Sequence, residues 1–157
     1  AAGKHPVEAV KFMAQIADFT EQSIDYKHRF YTTSYEIQNN LDAISHATCS
    51  MAIDVKARCI VVNSLSGKTV RMVSRFRCPV DIVGMTTDKK IWRKLGLSWG
   101  VTPVLTEAFP TMDVMFYYAK KATAEVLNLQ PGDNILLTGG TINGSSGNTD
   151  TIKIETI

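Results

Sequence analysis

Cys59-Ile60-Val61-Val62-Asn63-Ser64-Leu65-Ser66-Gly67-Lys68-Thr69-Val70-Arg71-Met72-Val73 is the stretch that decides the fold of this 157-residue chain. A short β-branched run, Cys59–Ser64, ends in a turn of small residues with one glycine. A helix-compatible segment, about Lys68–Arg75, follows at once. Strand, turn, helix is the unit of a parallel sheet, because parallel neighbours need a crossover between them.

Working outward, the unit recurs. Val80–Met85 reads as a strand, and Asp88–Leu95 as a helix that Asp88 can cap. Val101–Leu105 is a third strand, and Thr111–Leu127 an amphipathic helix. Asn134–Thr138 and Thr151–Thr156 complete the strands, while a helix near Leu41–Lys56 precedes the first. These runs predict an α/β fold: a three-layer αβα arrangement around a doubly wound, mostly parallel five-stranded sheet. The last strand should be antiparallel. Only about a dozen residues rich in Gly, Ser and Asn join it to its predecessor, too few for a helical crossover. Alternation of Ile152 and Ile154 with Lys153 and Glu155 predicts an edge strand with one buried face.

Toward the N-terminus, Pro6 and Glu8 suit a first helical turn. Val7, Val10, Phe12, Met13, Ile16 and Ala17 then recur at helical spacing. The aromatic-rich stretch from Tyr26 to Asn39 reads as a hinge or boundary, too aromatic for a disordered linker and expected to lie against something.

Hydrophobic residues at 45%, charged residues at 20% and a net charge of +2 are ordinary for a soluble domain. The mixed charges show neither a nucleic-acid nor a membrane surface. No apolar run reaches the roughly 18 residues that span a bilayer, and AAGKHPVEAV lacks the apolar core of a signal peptide. Cys49, Cys59 and Cys78 have no CxxC spacing, which predicts reduced, buried thiols and a cytoplasmic setting.

Two segments can carry chemistry. In Asn63–Thr69 a turn leaves a strand end and opens a helix, so free backbone N–H groups face outward at the positive helix end. Ser64, Ser66 and Thr69 add hydroxyls, Gly67 lets the chain turn, and Lys68 adds a compact positive charge. Those features suit a phosphate; they also suit a helix start after a flexible turn. Thr138–Thr149 has four glycines in the nine positions 139–147, so it can fold over a ligand or serve as a plain long turn. It lacks the nucleotide P-loop pattern. His5, His28 and His46 lack metal spacing, and no GxSxG elbow or Cys/His arrangement is present. Trp92 and Trp99 read as core or interface aromatics.

Four ordered segments resemble pyruvate kinases: GKHPVEAVKFM (3–13), NSLSGKTVRMVSRFRCP (63–79), LGLSWGVTPVL (95–105) and LQPGDNILLTGGTINGSSGNTDTIKI (129–154). The resemblance implies that residues 1–25 form the last helix of a catalytic barrel and 26–157 the C-terminal α/β domain. It implies a non-catalytic allosteric and oligomerisation domain, with the residues for phosphoenolpyruvate, Mg²⁺ and K⁺ on the barrel. An effector phosphate would sit at Ser64, Ser66, Gly67, Lys68 and Thr69, and the loop at Gly144, Ser145, Ser146 and Gly147 would close over its organic part. Expected partners are a phosphorylated small molecule, the chain's own barrel and further copies in a tetramer, with no nucleic acid or membrane. Where fructose-bisphosphate-activated relatives grip a second phosphate with tryptophan and arginine, this sequence has Ala108 and Met115. Neither supplies a charge, so a monophosphate is expected. Two alternatives remain: a free-standing phosphometabolite-binding module, and a small phosphotransferase or phosphatase, for which no nucleophile or metal set is evident.

Overall fold

The computed structural model describes residues 2–140 and 149–157. Along the chain run α1 (Pro6–Glu21), α2 (Tyr26–Thr32), α3 (Asn40–Asp54), β1 (Cys59–Asn63), α4 (Lys68–Arg75), β2 (Asp81–Thr86), α5 (Lys89–Leu95), β3 (Val101–Leu105), α6 (Met112–Leu127), β4 (Asn134–Gly140) and β5 (Thr149–Thr156). The strands form one sheet in the order β3-β2-β1-β4-β5. Every pair is parallel except β4 with β5, which is antiparallel. The expected three-layer α/β architecture is the observed one.

Alternation along the central strands divides the core. Ile60, Val62, Ile82 and Leu136 face α3, α4 and α5, where they meet Cys49, Ala52, Val70, Val73 and Leu95. Cys59, Val61, Val83, Ile135 and Leu137 face α6, against Phe116 and Ala119. Burial on both faces explains the continuous apolar runs that mark the strands in the sequence. Beyond the first three strands the chain returns over the opposite face through α6, and β4 joins the sheet beside β1. The strand order therefore reverses between β1 and β4, and their carboxyl ends lie side by side there.

Local chemistry sets the helix starts. Asp25, Asn39, Asp88 and Thr111 each accept a backbone N–H in the first turn of the helix that follows. Alpha-4 begins differently, at Gly67 in the left-handed region (φ +68°) with no side-chain cap. It also lies close on the sheet, since a Cβ on Gly84 of β2 would come 2.8 Å from Val70 Cγ1.

The segment between Tyr26 and Asn39 is more structured than a hinge. It contains α2, and Phe30 is buried against His46, whose ring stacks at 5.0 Å. Tyr35 packs edge-on to Phe76 and donates its hydroxyl to the Phe76 carbonyl at 3.0 Å. The expectation that the stretch lies against something holds. Alpha-1 is the opposite case: none of its residues is buried, and Val7, Val10, Phe12, Met13, Ile16 and Phe19 are all exposed. Its last residue, Glu21, accepts the Trp99 indole N–H at 3.0 Å.

At the edge, β5 starts at Thr149, two residues earlier than the sequence suggests. The single buried face expected for it is incomplete. Ile152 packs on the α3 side, but Ile154 on the same face is 46% exposed, and Ile157 joins the α6 side.

Candidate functional site

Ser64–Thr69 spans the connection from β1 into α4 at the carboxyl edge of the sheet. Two hydrogen bonds fix its path: Ser64 N–H donates to Met85 O at 2.9 Å, and Thr86 Oγ1 to Leu65 O at 3.2 Å. Gly67 makes the final turn. A side chain there would require a positive φ, and its Cβ would come 2.8 Å from Ile91 Cγ2 and 3.1 Å from Leu95 Cδ2. Glycine thus lets α5 press against the start of α4.

The first N–H of α4 to bond back is that of Arg71, which donates to Gly67 O at 3.1 Å. Helix geometry leaves the amides of Lys68, Thr69 and Val70 without an intrahelical acceptor. Together with the helix dipole, this forms a local field suited to an anion. Lys68 is exposed and forms no ion pair among the described residues. Ser64 and Ser66 are half-buried beside it.

Thr69 is placed differently. It is buried, and its hydroxyl shares a 2.7 Å hydrogen bond with that of Thr149 on β5. Only one hydroxyl of that pair donates to the other, which leaves one O–H for another acceptor. The contact also ties the first turn of α4 to the start of β5. Arg71 was not singled out from the sequence, although its place one turn after Gly67 is a usable signal; its guanidinium donates to Ser66 O at 3.4 Å. Asn63 stands just before the turn, and its side-chain Nδ2 is buried without a partner among the described residues.

Gly144, Ser145, Ser146 and Gly147 lie outside the described residues. Asp150, just beyond, accepts the Thr151 hydroxyl at 2.9 Å. Met115 lies over the end of β4, with its Cε 3.1 Å from where a Gly139 Cβ would be, and Ala108 is exposed before α6. A groove of about 560 Å³ is lined by residues including Leu105, Phe109, Pro110 and Tyr118, and by none of Ser64, Ser66, Gly67, Lys68 or Thr69.

The three cysteines are buried free thiols, as their pattern suggests. Burial, reinforced by the nearby Asp81 carboxylate, pushes Cys59 up to about 12. Cys49 is raised by its hydrogen bond with the Cys78 thiol and by burial. Neither Cys49 nor Cys59 is therefore a thiolate near neutral pH. Among the described residues no group of three or more His, Cys, Asp or Glu is placed to hold a metal ion, and no helix is long and apolar enough to cross a membrane.

Comparison with known proteins gives this geometry a family. The profile described as "Pyruvate kinase, alpha/beta domain" matches residues 42–155. The chain is 33% identical to a pyruvate kinase of Clostridium acetobutylicum over its whole length, covering 33% of that protein. It is 34% identical to the pyruvate kinase of Geobacillus stearothermophilus and 36% to pyruvate kinase 2 of Synechocystis, again over all of this chain but only 27% and 26% of theirs. The chain thus spans about a quarter to a third of the length of these curated relatives, in their C-terminal part. On the profile match and these identities together, the chain belongs to the pyruvate kinase family, of which it carries the C-terminal alpha/beta domain.

Proposed function

We propose that this chain is the effector-binding and oligomerisation domain of a cytoplasmic pyruvate kinase, and that it does not itself catalyse a reaction. In this reading the parent enzyme transfers a phosphoryl group from phosphoenolpyruvate to ADP in glycolysis. Residues 1–25 end its catalytic barrel, and 26–157 form the regulatory domain. Mg²⁺ and K⁺ belong to the barrel.

The observation that carries the reading is the start of α4. Its first-turn amides have no side-chain cap, Lys68 projects from an exposed position beside them, and the turn sits where the strand order reverses. In open α/β sheets that reversal is the usual ligand crevice. A phosphate there would accept from the α4 amides and pair with Lys68, with Ser64, Ser66 and the Thr69–Thr149 hydroxyl pair donating around it. The loop at Gly144–Gly147 would cover the organic part. With Ala108 and Met115 uncharged, one phosphate is the expected load.

The exposed apolar face of α1 favours an attached barrel over a free-standing module. Six large hydrophobic residues on one 16-residue helix, none of them buried, need a covering body. Binding at the α4 turn then affects the barrel only through different affinity for its active and inactive arrangements.

A thermal-shift panel of inorganic phosphate, AMP, ribose 5-phosphate and glucose 6-phosphate tests the site. A ligand at a hundred times its Kd stabilises the fold by about 2.7 kcal/mol. Stabilisation that disappears in Lys68→Ala is the expected result. No response to any phosphate, or a response unchanged in Lys68→Ala, contradicts it. Turnover of phosphoenolpyruvate and ADP by this chain alone would contradict the non-catalytic role.

A further inference from the structure

Asn63 ends β1 at the point where the strand order reverses. Cys59 and Val61 belong to the α6-facing core and Ile60 and Val62 to the α4-facing one, so Asn63 is next on the α6 side. Across the sheet it follows the Val62–Thr138 pair and so stands beside Gly139. A Cβ on Gly139 would lie 3.6 Å from Asn63 Cβ, 3.1 Å from Met115 Cε and 3.5 Å from Phe116 Cε1. Gly139 thus has the Asn63 Cβ, the Met115 thioether end and the Phe116 ring edge around it at this end of the sheet.

Its Nδ2 is buried and has no hydrogen-bond partner among the described residues. A buried amide donor left unpaired carries an uncompensated desolvation cost, which an apolar side chain of the same shape would avoid. Packing therefore does not account for an asparagine here. The next residue, Ser64, begins the turn that leads to the uncapped amides of α4.

We infer that Asn63 reads the organic part of a phosphate monoester, donating from Nδ2 to a hydroxyl or ether oxygen while the Ser64–Thr69 turn holds the phosphate. The inference rests on the proposed phosphate site. A single neutral amide donor suits a neutral hydroxyl or ether oxygen better than a second phosphate, which gains more from cationic donors. Asn63 then distinguishes a hydroxyl-bearing phosphate ester from bare phosphate, which needs the turn alone.

Calorimetric titration of the 157-residue chain with inorganic phosphate and with ribose 5-phosphate tests this, using wild type, Asn63→Leu and Lys68→Ala. Asn63→Leu should leave the Kd for inorganic phosphate within about twofold and weaken ribose 5-phosphate about tenfold, the loss of one hydrogen bond. Its ligand-free melting temperature should be equal or higher, because a buried unpaired amide has been removed. Lys68→Ala should weaken both ligands. If Asn63→Leu keeps the wild-type preference for ribose 5-phosphate, or weakens both ligands alike, the role of Asn63 is refuted and the phosphate site stands. If wild type binds neither ligand, the phosphate site itself is refuted. A readout on the unmodified chain guards against a variant that does not fold: the Asn63 side-chain amide resonance should move with ribose 5-phosphate and stay with inorganic phosphate. Equal movement with both, or none, overturns the inference.

Discussion

Replacing Gly67 by alanine perturbs one Cβ at the start of α4, and two separate costs follow from its surroundings. The first is conformational: Gly67 has φ +68°, and a residue with a Cβ loses about 1–2 kcal/mol in the left-handed region. The second is steric. The new methyl would lie 2.8 Å from Ile91 Cγ2 and 3.1 Å from Leu95 Cδ2, so α5 must shift or its side chains leave their rotamers. Overpacking of this kind costs about 1–3 kcal/mol, which brings the expected total to about 2–5 kcal/mol. Gly132 separates the two parts, because its φ is +98° but nothing lies within 4 Å of its missing Cβ. Gly132→Ala should therefore show only the conformational cost, about 1–2 kcal/mol. Urea denaturation followed by circular dichroism measures both variants, with the slope m checked for constancy. If Gly67→Ala lies within about 0.5 kcal/mol of wild type, or costs no more than Gly132→Ala, the close approach of α5 to this turn is wrong.

Other perturbations follow from the same contacts. Phe30→Ala should destabilise the domain by about 3–5 kcal/mol in urea, as for other buried aromatics; a loss under about 0.5 kcal/mol would make the Tyr26–Asn39 segment a true hinge. Asp88 sits below its usual carboxylate range because it accepts the N–H groups of Ile91 and Lys90. Its contribution is thus present above the ordinary carboxylate pKa and lost as pH falls through the lower folded value. The melting-temperature gap between wild type and Asp88→Ala should therefore narrow below about pH 4, and a gap independent of pH would refute the cap's charge dependence. Ile154→Lys places a charge at an exposed position of edge strand β5, and sedimentation should show loss of any self-association that uses this edge. An unchanged dimer would locate the contact elsewhere.

The central strands were legible because β1, β2 and β4 are buried on both faces, which forces unbroken β-branched or apolar runs. The starts of α5 and α6 were legible through Asp88 and Thr111, whose caps depend only on residues two or three positions away. Alpha-2 was not. A seven-residue helix has little stability of its own, and this one is held by Phe30 against His46 in a different helix. The alternation in β5 showed which side chains share a face but not whether a helix covers that face, so Ile154 looked more buried than it is. At the candidate site, Gly67 and Lys68 could be read from local pattern. The sharing of the Thr69 hydroxyl with Thr149, 80 residues away, is tertiary and left no local trace. Nor does sequence reveal that Asn63 Nδ2 is buried without a partner among the described residues, since that depends on the tertiary packing at the end of β1.

The most direct test of the account is a nitrogen–proton correlation spectrum of the chain titrated with glucose 6-phosphate. Saturable shifts of the Lys68, Thr69 and Val70 amides are expected, with smaller effects at Ser64 and Ser66, all absent in Lys68→Ala. Shifts confined to other basic positions, such as Lys89 and Lys90, or no saturable shift at the start of α4, would contradict it.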